Sequence, residues 1–194
     1  MVTIIDYGTG NLRSVTNALE RLGADYTLTA DPRQITAAER VLLPGVGEAA
    51  TAMQQLRDKG LVETLRSLRC PVLGICLGMQ LLCTHSEEGD TPALGIFPNR
   101  VRRFPAVEGL KVPHVGWNAV EQLRSPLYDG VEEGAYVYYV HSYAADLNDC
   151  TAATTHYGIP FSGSLHRDNF YGCQFHPEKS GAVGQRILAN FLAL

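Results

Sequence analysis

Three separated stretches of this chain carry side chains able to do nucleophilic chemistry. In Val72, Leu73, Gly74, Ile75, Cys76, Leu77, Gly78, Met79, Gln80 an apolar run ends at a cysteine bracketed by glycines and passes straight into a helical pattern. A side chain pushed out at the tip of a strand-to-helix turn needs neighbours without bulk two positions to either side. Gly74 and Gly78 meet that need, as in the G-x-S-x-G turn with sulfur in place of oxygen. At a helix N-terminus the unpaired N–H groups and the helix dipole favour thiolate over thiol. The ordinary fate of an unpaired cysteine is to be a small buried hydrophobe, which accounts for Cys70, Cys83, Cys150 and Cys173. The glycine bracket sets Cys76 apart as a candidate nucleophile.

A nucleophile needs a base, and Phe170 to Phe175 reads as a strand delivering His176, Pro177 and Glu178. Proline ends the strand, so histidine and glutamate can point the same way, the carboxylate taking the imidazole Nδ1–H and leaving Nε2 free toward a sulfur. Alone, such a pair is equally a surface turn that meets water. The remaining histidines are poorer candidates: His85 follows the elbow helix, His114 and His141 sit among aromatic residues, and His156 and His166 have no carboxylate so placed. The third stretch, Val41 to Leu43 running into Pro44, Gly45, Val46, Gly47, offers backbone N–H groups at Gly45 and Val46. With the amide of Leu77 these would form an oxyanion hole, whose single donors contribute on the order of 3 kcal/mol. A plain Pro-Gly turn is the alternative.

The elements that must position these residues follow from periodicity. Strand 2–6, helix 11–22, strands 25–29 and 40–43, helix 47–67, strand 71–75 and helix 77–84 alternate in the way of a parallel sheet covered by helices. Beyond Val101 the strands come closer together, including Tyr136 to Tyr143 and Phe170 to Phe175, and only Gly184 to Leu192 is helical again. The expectation is one α/β domain over residues 1–194, an open, mostly parallel sheet with antiparallel edge strands joined to it and helices on both faces. The loop Asp6, Tyr7, Gly8, Thr9, Gly10, Asn11 opens like a dinucleotide fingerprint, but Arg13 stands where the third glycine belongs. It reads as a tight contact loop at the sheet's carboxyl edge.

Composition narrows the function classes. The 194 residues suit one well-packed domain. Sixteen basic against twenty acidic side chains, a net charge of −4 and no basic stripe argue against nucleic acid or a membrane surface as partner. The start, Met1 to Ile5, reads as a strand without a charged leader, and no apolar run reaches membrane-spanning length, so a cytoplasmic location is expected. Five cysteines without paired close spacings argue against a disulfide framework or a zinc ribbon. No metal and no cofactor is expected.

Taken together, the PGVG loop, the GICLGMQ elbow and the FHPEK segment resemble the class I, or triad, glutamine amidotransferases, over nearly the whole chain. The segments IIDYGTGNLRSV, LLPGVG, VPHVGWN and VHSY are similar to the branch of that family serving histidine biosynthesis. The resemblance implies a flavodoxin-like fold. It implies that Cys76 attacks the glutamine side-chain amide, His176 shuttles the proton, and Glu178 orients the imidazole. It also implies that Gln80, Glu88 and the backbone of Ser142 and Tyr143 hold the substrate's amino-acid head, with Glu87 the alternative to Glu88, and that the Gly45 peptide governs the oxyanion hole. Lacking a second domain for the ammonia acceptor, the chain is expected to form a heterodimer with a (β/α)8-barrel cyclase that makes imidazole glycerol phosphate and aminoimidazole carboxamide ribotide. By resemblance Asn11, Trp117, Tyr138 and Lys179 would lie at that interface, although the single tryptophan, beside Gly116, is equally a core residue. Rival readings are a glutaminase of another biosynthetic pathway, a freestanding cysteine hydrolase, and a regulatory subunit without turnover.

Overall fold

The computed structural model describes residues 1–8, 11–106 and 108–194. Its first half runs β1 (Val2–Ile5), α1 (Leu12–Arg21), β2 (Tyr26–Thr29), α2 (Pro32–Thr36), β3 (Val41–Gly45), α3 (Ala49–Asp58), α4 (Leu61–Ser67), β4 (Val72–Cys76) and α5 (Leu77–Leu82). β1, β3 and β4 are buried at every position, as strands covered on both faces must be. Asn11 caps α1, its side chain accepting from Ser14 N–H, and Asp31 caps α2 ahead of Pro32 at the first helical position. The expected single helix over 47–67 is two helices, because Gly60 turns left-handed at φ 67° and restarts the chain as α4. The short α2 is an addition to the elements expected from periodicity.

The second half contains β5 (His85–Ser86), β6 (Thr91–Pro92), β7 (Arg100–Arg103), β8 (His114–Val120), β9 (Ala135–His141), β10 (Tyr143–Ala145), β11 (Thr151–Tyr157), β12 (Ile159–Arg167), β13 (Phe170–Cys173) and α6 (Gly181–Ala193). The described residues form a seven-stranded main sheet in the order β11-β12-β13-β4-β3-β1-β2. β13, β4, β3, β1 and β2 are mutually parallel, and β12 and β11 add an antiparallel edge. The expectation that all later strands join this sheet needs correcting. β8 and β9 pair only with each other as a two-stranded ribbon, and β10, β7, β5 and β6 form a separate four-stranded sheet. Tyr136 to Tyr143 is likewise two strands, broken at Ser142 between the ribbon and the small sheet.

Alternating side chains divide the core between the two faces of the main sheet. Ile5, Leu43 and Val72 pack with Met53, Leu56 and Leu65 of α3 and α4. Ile4, Leu42, Leu73 and Ile75 pack with Leu19 of α1 and Ile187, Leu188 and Phe191 of α6. Helices therefore cover both faces, as expected of an open α/β sheet. The parallel strands end together, so the residues after β1, β3, β4 and β13 share the carboxyl edge where such folds bind ligands. Thr9 and Gly10 of the first loop lie outside the described residues. Among those that are described, no helix is long and apolar enough to cross a membrane.

Candidate active site

The elbow at Cys76 is strained in the way a presented nucleophile requires. Cys76 has φ 54° and ψ −112°, a region that costs a non-glycine residue on the order of 1–3 kcal/mol and survives only where the surroundings enforce it. The surroundings are backbone packed on backbone. A Cβ at Gly78 would collide with the carbonyl oxygen of Leu43, and one at Gly74 would lie 2.7 Å from Met79 N. The bracket thus lets α5 start directly against β3. Leu77 is the first residue of α5, where its N–H has no place in the intrahelical ladder.

Register brings the other groups to the sulfur. Gly45 lies opposite Cys76 across the β3–β4 pair, and Tyr7 Oη donates to Pro44 O at 3.0 Å, fixing the entry to the glycine loop. β13 runs parallel to β4 with Cys173 opposite Ile75. The next residues, Gln174, Phe175 and His176, therefore continue past the tip of β4. The His176 and Glu178 side chains are only 3% and 2% exposed, and Nδ1 meets Glu178 Oε1 at 2.8 Å. That bond assigns the proton to Nδ1 in the neutral ring and leaves Nε2, which among the described residues has no hydrogen-bond partner. Burial pushes the imidazole toward neutrality, but interaction with the Cys76 sulfur and the hydrogen bond and charge of Glu178 outweigh it, raising His176 to about 10. The ring is thereby set to share a proton with the thiol.

A cleft of about 360 Å³ joins these groups, lined by Cys76, His176, Leu77, Val46, Gly47 and the four expected substrate-contacting residues, Gln80, Glu88, Ser142 and Tyr143. Gly45 remains in the sheet, so Val46 and Gly47 form the exposed part of the loop. Gln80 spends both N–H groups, on Tyr143 O and Gln174 Oε1, each at 2.9 Å. Only its carbonyl is left for a ligand, which suits an ammonium and not a carboxylate. Glu88 Oε2 accepts from Ala49 N at 2.9 Å, and burial, only partly offset by that bond, raises its pKa. Glu87 turns away and accepts from Arg103 N. Of this pair, Glu88 alone reaches the cleft. A larger concavity of about 740 Å³ between Tyr128 and the end of α6 contains none of these groups.

Three of the four interface candidates meet on one surface. Trp117 and Tyr138 are directly opposed across the β8–β9 ribbon with ring centroids 6.1 Å apart, and Lys179 Nζ stands 6.0 Å over the Tyr138 ring. Trp117 is 54% exposed, so it is a surface residue rather than core. The hydrogen bonds of Asn11 go to Ser14 of its own helix.

The family model described as glutamine amidotransferase class-I matches residues 3–194. The chain belongs to this family. Class I glutamine amidotransferases with similar sequences include the imidazole glycerol phosphate synthase subunit HisH of Bacteroides fragilis (strain YCH46), 52% identical over 100% of this chain and 99% of the relative. Another is the HisH subunit of Xylella fastidiosa (strain Temecula1 / ATCC 700964), 50% identical over 100% of this chain and 97% of the relative. Among solved structures, a glutamine amidotransferase from Thermotoga maritima superposes with a TM-score of 0.64 at 18% identity, covering 99% of this chain and 82% of that one. That likeness bears on the fold.

Two further residues belong to the site. His141 lines the cleft, although its place among aromatic residues makes it a poorer candidate for the base than His176. Gln174 is fully buried with Nε2 3.8 Å from Cys76 Sγ. In Phe170 to Phe175 the alternation of Tyr171, Cys173 and Phe175 toward the α6 face leaves Gln174 facing α5. That period was the available signal. Among the described residues there is no cluster of side chains suited to a metal ion.

Proposed function

We propose that this chain is the glutaminase subunit of an imidazole glycerol phosphate synthase, hydrolysing glutamine to glutamate and passing ammonia to a (β/α)8-barrel cyclase. The observation that carries the reading is the convergence of Cys76 and the buried His176–Glu178 pair on one cleft. Full-length similarity to HisH subunits supports the pathway and the partner.

In this mechanism the Cys76 thiol gives its proton to His176 Nε2, and sulfur attacks the side-chain carbonyl carbon of glutamine. The C–N bond then breaks as the imidazolium returns the proton to the leaving nitrogen, giving ammonia and a glutamyl thioester. Water, deprotonated by the same nitrogen, attacks the thioester, and the electron pair of the broken C–S bond returns to sulfur. Glu178 holds the ring and balances its charge throughout. The amides of Leu77 and of the Gly45–Val46 segment receive the oxyanion. The carbonyl of Gln80 and the carboxylate of Glu88 suit the substrate's ammonium, and the Ser142–Tyr143 backbone closes over the head group. A peptide reorientation at Gly45 is the proposed device by which the partner and its ligand switch glutamine hydrolysis on.

The partner's seat is the outer face of the β8–β9 ribbon. Val115, Trp117, Tyr136 and Val140 are 56%, 54%, 60% and 37% exposed, an apolar strip flanked by Tyr138 and Lys179. Val140 also lines the cleft, so this strip adjoins the place where ammonia is released. Cys76→Ala in the complex should abolish glutamine-dependent synthesis, with a loss of about 10⁴-fold or more, while added ammonium salts still support the cyclase reaction. Retained use of glutamine would remove the assignment.

A further inference from the structure

We propose that Gln174 is a further catalytic group of this site: its side-chain N–H, locked in place by a one-way run of hydrogen bonds, holds the sulfur of Cys76 as thiolate and receives it again when the thioester breaks. The proposal deepens the glutaminase reading and rests on Cys76 being its nucleophile.

The direction of the run follows from groups that can act in only one sense. The carbonyl of Tyr143 can only accept. It receives Gln80 Nε2 at 2.9 Å and His141 Nδ1 at 2.7 Å, and His141 Nε2 in turn faces His114 Nδ1 at 3.0 Å. The nitrogen of Gln80 must therefore point at Tyr143. Because the same nitrogen lies 2.9 Å from the Gln174 side chain, the atom it meets there must be the oxygen. The nitrogen of Gln174 is then left to the sulfur, at 3.8 Å. Turning the Gln174 amide over would set two NH₂ groups face to face and place an oxygen against a thiolate. Amide orientations are normally open to exchange of O and N, but here the backbone carbonyl settles both.

The second neighbour of the sulfur acts in the opposite sense. Val140 O lies 3.9 Å from Cys76 Sγ and can accept only from a protonated thiol. One partner thus favours S–H and the other S⁻, and an N–H donor to an anion is the stronger of the two. During deacylation the electron pair of the C–S bond returns to sulfur, and the Gln174 N–H is already directed at it.

The test is the carbamidomethylation rate of Cys76 by iodoacetamide across pH 6 to 10, read by mass on the Cys76 peptide of the full-length chain. In Gln174→Met, which keeps length and removes the donor, the rate at pH 6.5 should fall about 3- to 10-fold and match the native chain at pH 10. Gln174→Glu keeps an acceptor for Gln80 but puts an anionic oxygen at the sulfur, and should be slower still at pH 6.5. An unchanged profile in a cooperatively unfolding Gln174→Met chain overturns the proposal, as does a loss equal at every pH. Should Gln174→Met not fold, Gln80→Met carries the test, because it frees the Gln174 amide to turn: a pH-dependent loss supports the proposal and an unchanged profile overturns it. Alkylation needs neither glutamine nor a partner. A native complex that releases no glutamate would therefore count against the glutaminase reading and leave this result standing.

Discussion

Two sets of buried imidazoles, one lining the cleft through His176 and the other reaching it through His141, are driven in opposite directions. His176, at the end of β13, is raised to about 10 because the Cys76 sulfur and the Glu178 carboxylate outweigh burial. His141 and His114, on the β8–β9 ribbon, are lowered to about 3 and about 4, with burial the main cause in each. Their partners are a carbonyl, an amide and one another, none of them anionic. Depth of burial is nearly the same, 2%, 6% and 3% exposed for His176, His141 and His114. The difference lies in the sign of the neighbours, so one imidazole is prepared to carry a proton and the others are structural donors and acceptors.

Glu178→Gln is the strongest way to break this contrast, since it retains an acceptor for Nδ1 and removes the charge. Glutamine turnover in the complex should drop about 10³- to 10⁴-fold, and the His176 titration, followed by NMR of its ring protons, should move down toward the behaviour of His141. Next in size is acid stability. The folded values of His114 and His141 lie below the unfolded value of about 6.5, so their contribution is complete above that pH and is lost as pH falls toward about 4 and about 3. Urea unfolding should show about 1.4 kcal/mol lost per histidine for each pH unit in that window. His176 has the opposite sign: its contribution is complete below about 6.5 and fades as pH rises to about 10, giving a shallower alkaline decline in the same urea series. Smallest is Asn118→Asp, which sets a carboxylate where the Asn118 amide stands 3.4 Å from His114 Nε2. The His114 titration should rise from about 4 while glutamine turnover changes by less than about threefold.

The sequence made the elbow plain because its cause is local: glycines two positions either side of a cysteine admit few other uses. The parallel half of the sheet was legible for a similar reason, each apolar run being continuous and bounded. What escaped depends on pairing between distant strands. Gln174 looks like one polar residue in an otherwise apolar strand until the β13–β4 register puts it beside Cys76. His141 reads only as a poor candidate for the base until Ser142 ends β9 and turns the ribbon's last residue to the cleft. The break at Gly60 was missed because the apolar period survives it, Leu56, Leu61 and Leu65 all entering one core. The separate ribbon was missed because the same alternation serves a strand whether or not a third strand joins it.

The near-contact of α5 and β3 at Gly78 and Leu43 divides the cleft into an anchored wall and an adjustable one. With backbone seated on backbone, residues 74–78 have no slack to take up when a ligand arrives. Adaptation falls to Val46–Gly47 on one side and the Val140–Tyr143 segment on the other, the latter continuous with the apolar strip. A protein docking on that strip would thus grip the movable wall while the sulfur stays fixed. Hydrogen–deuterium exchange on forming the complex should slow at 46–47 and 140–143 and leave 74–78 untouched.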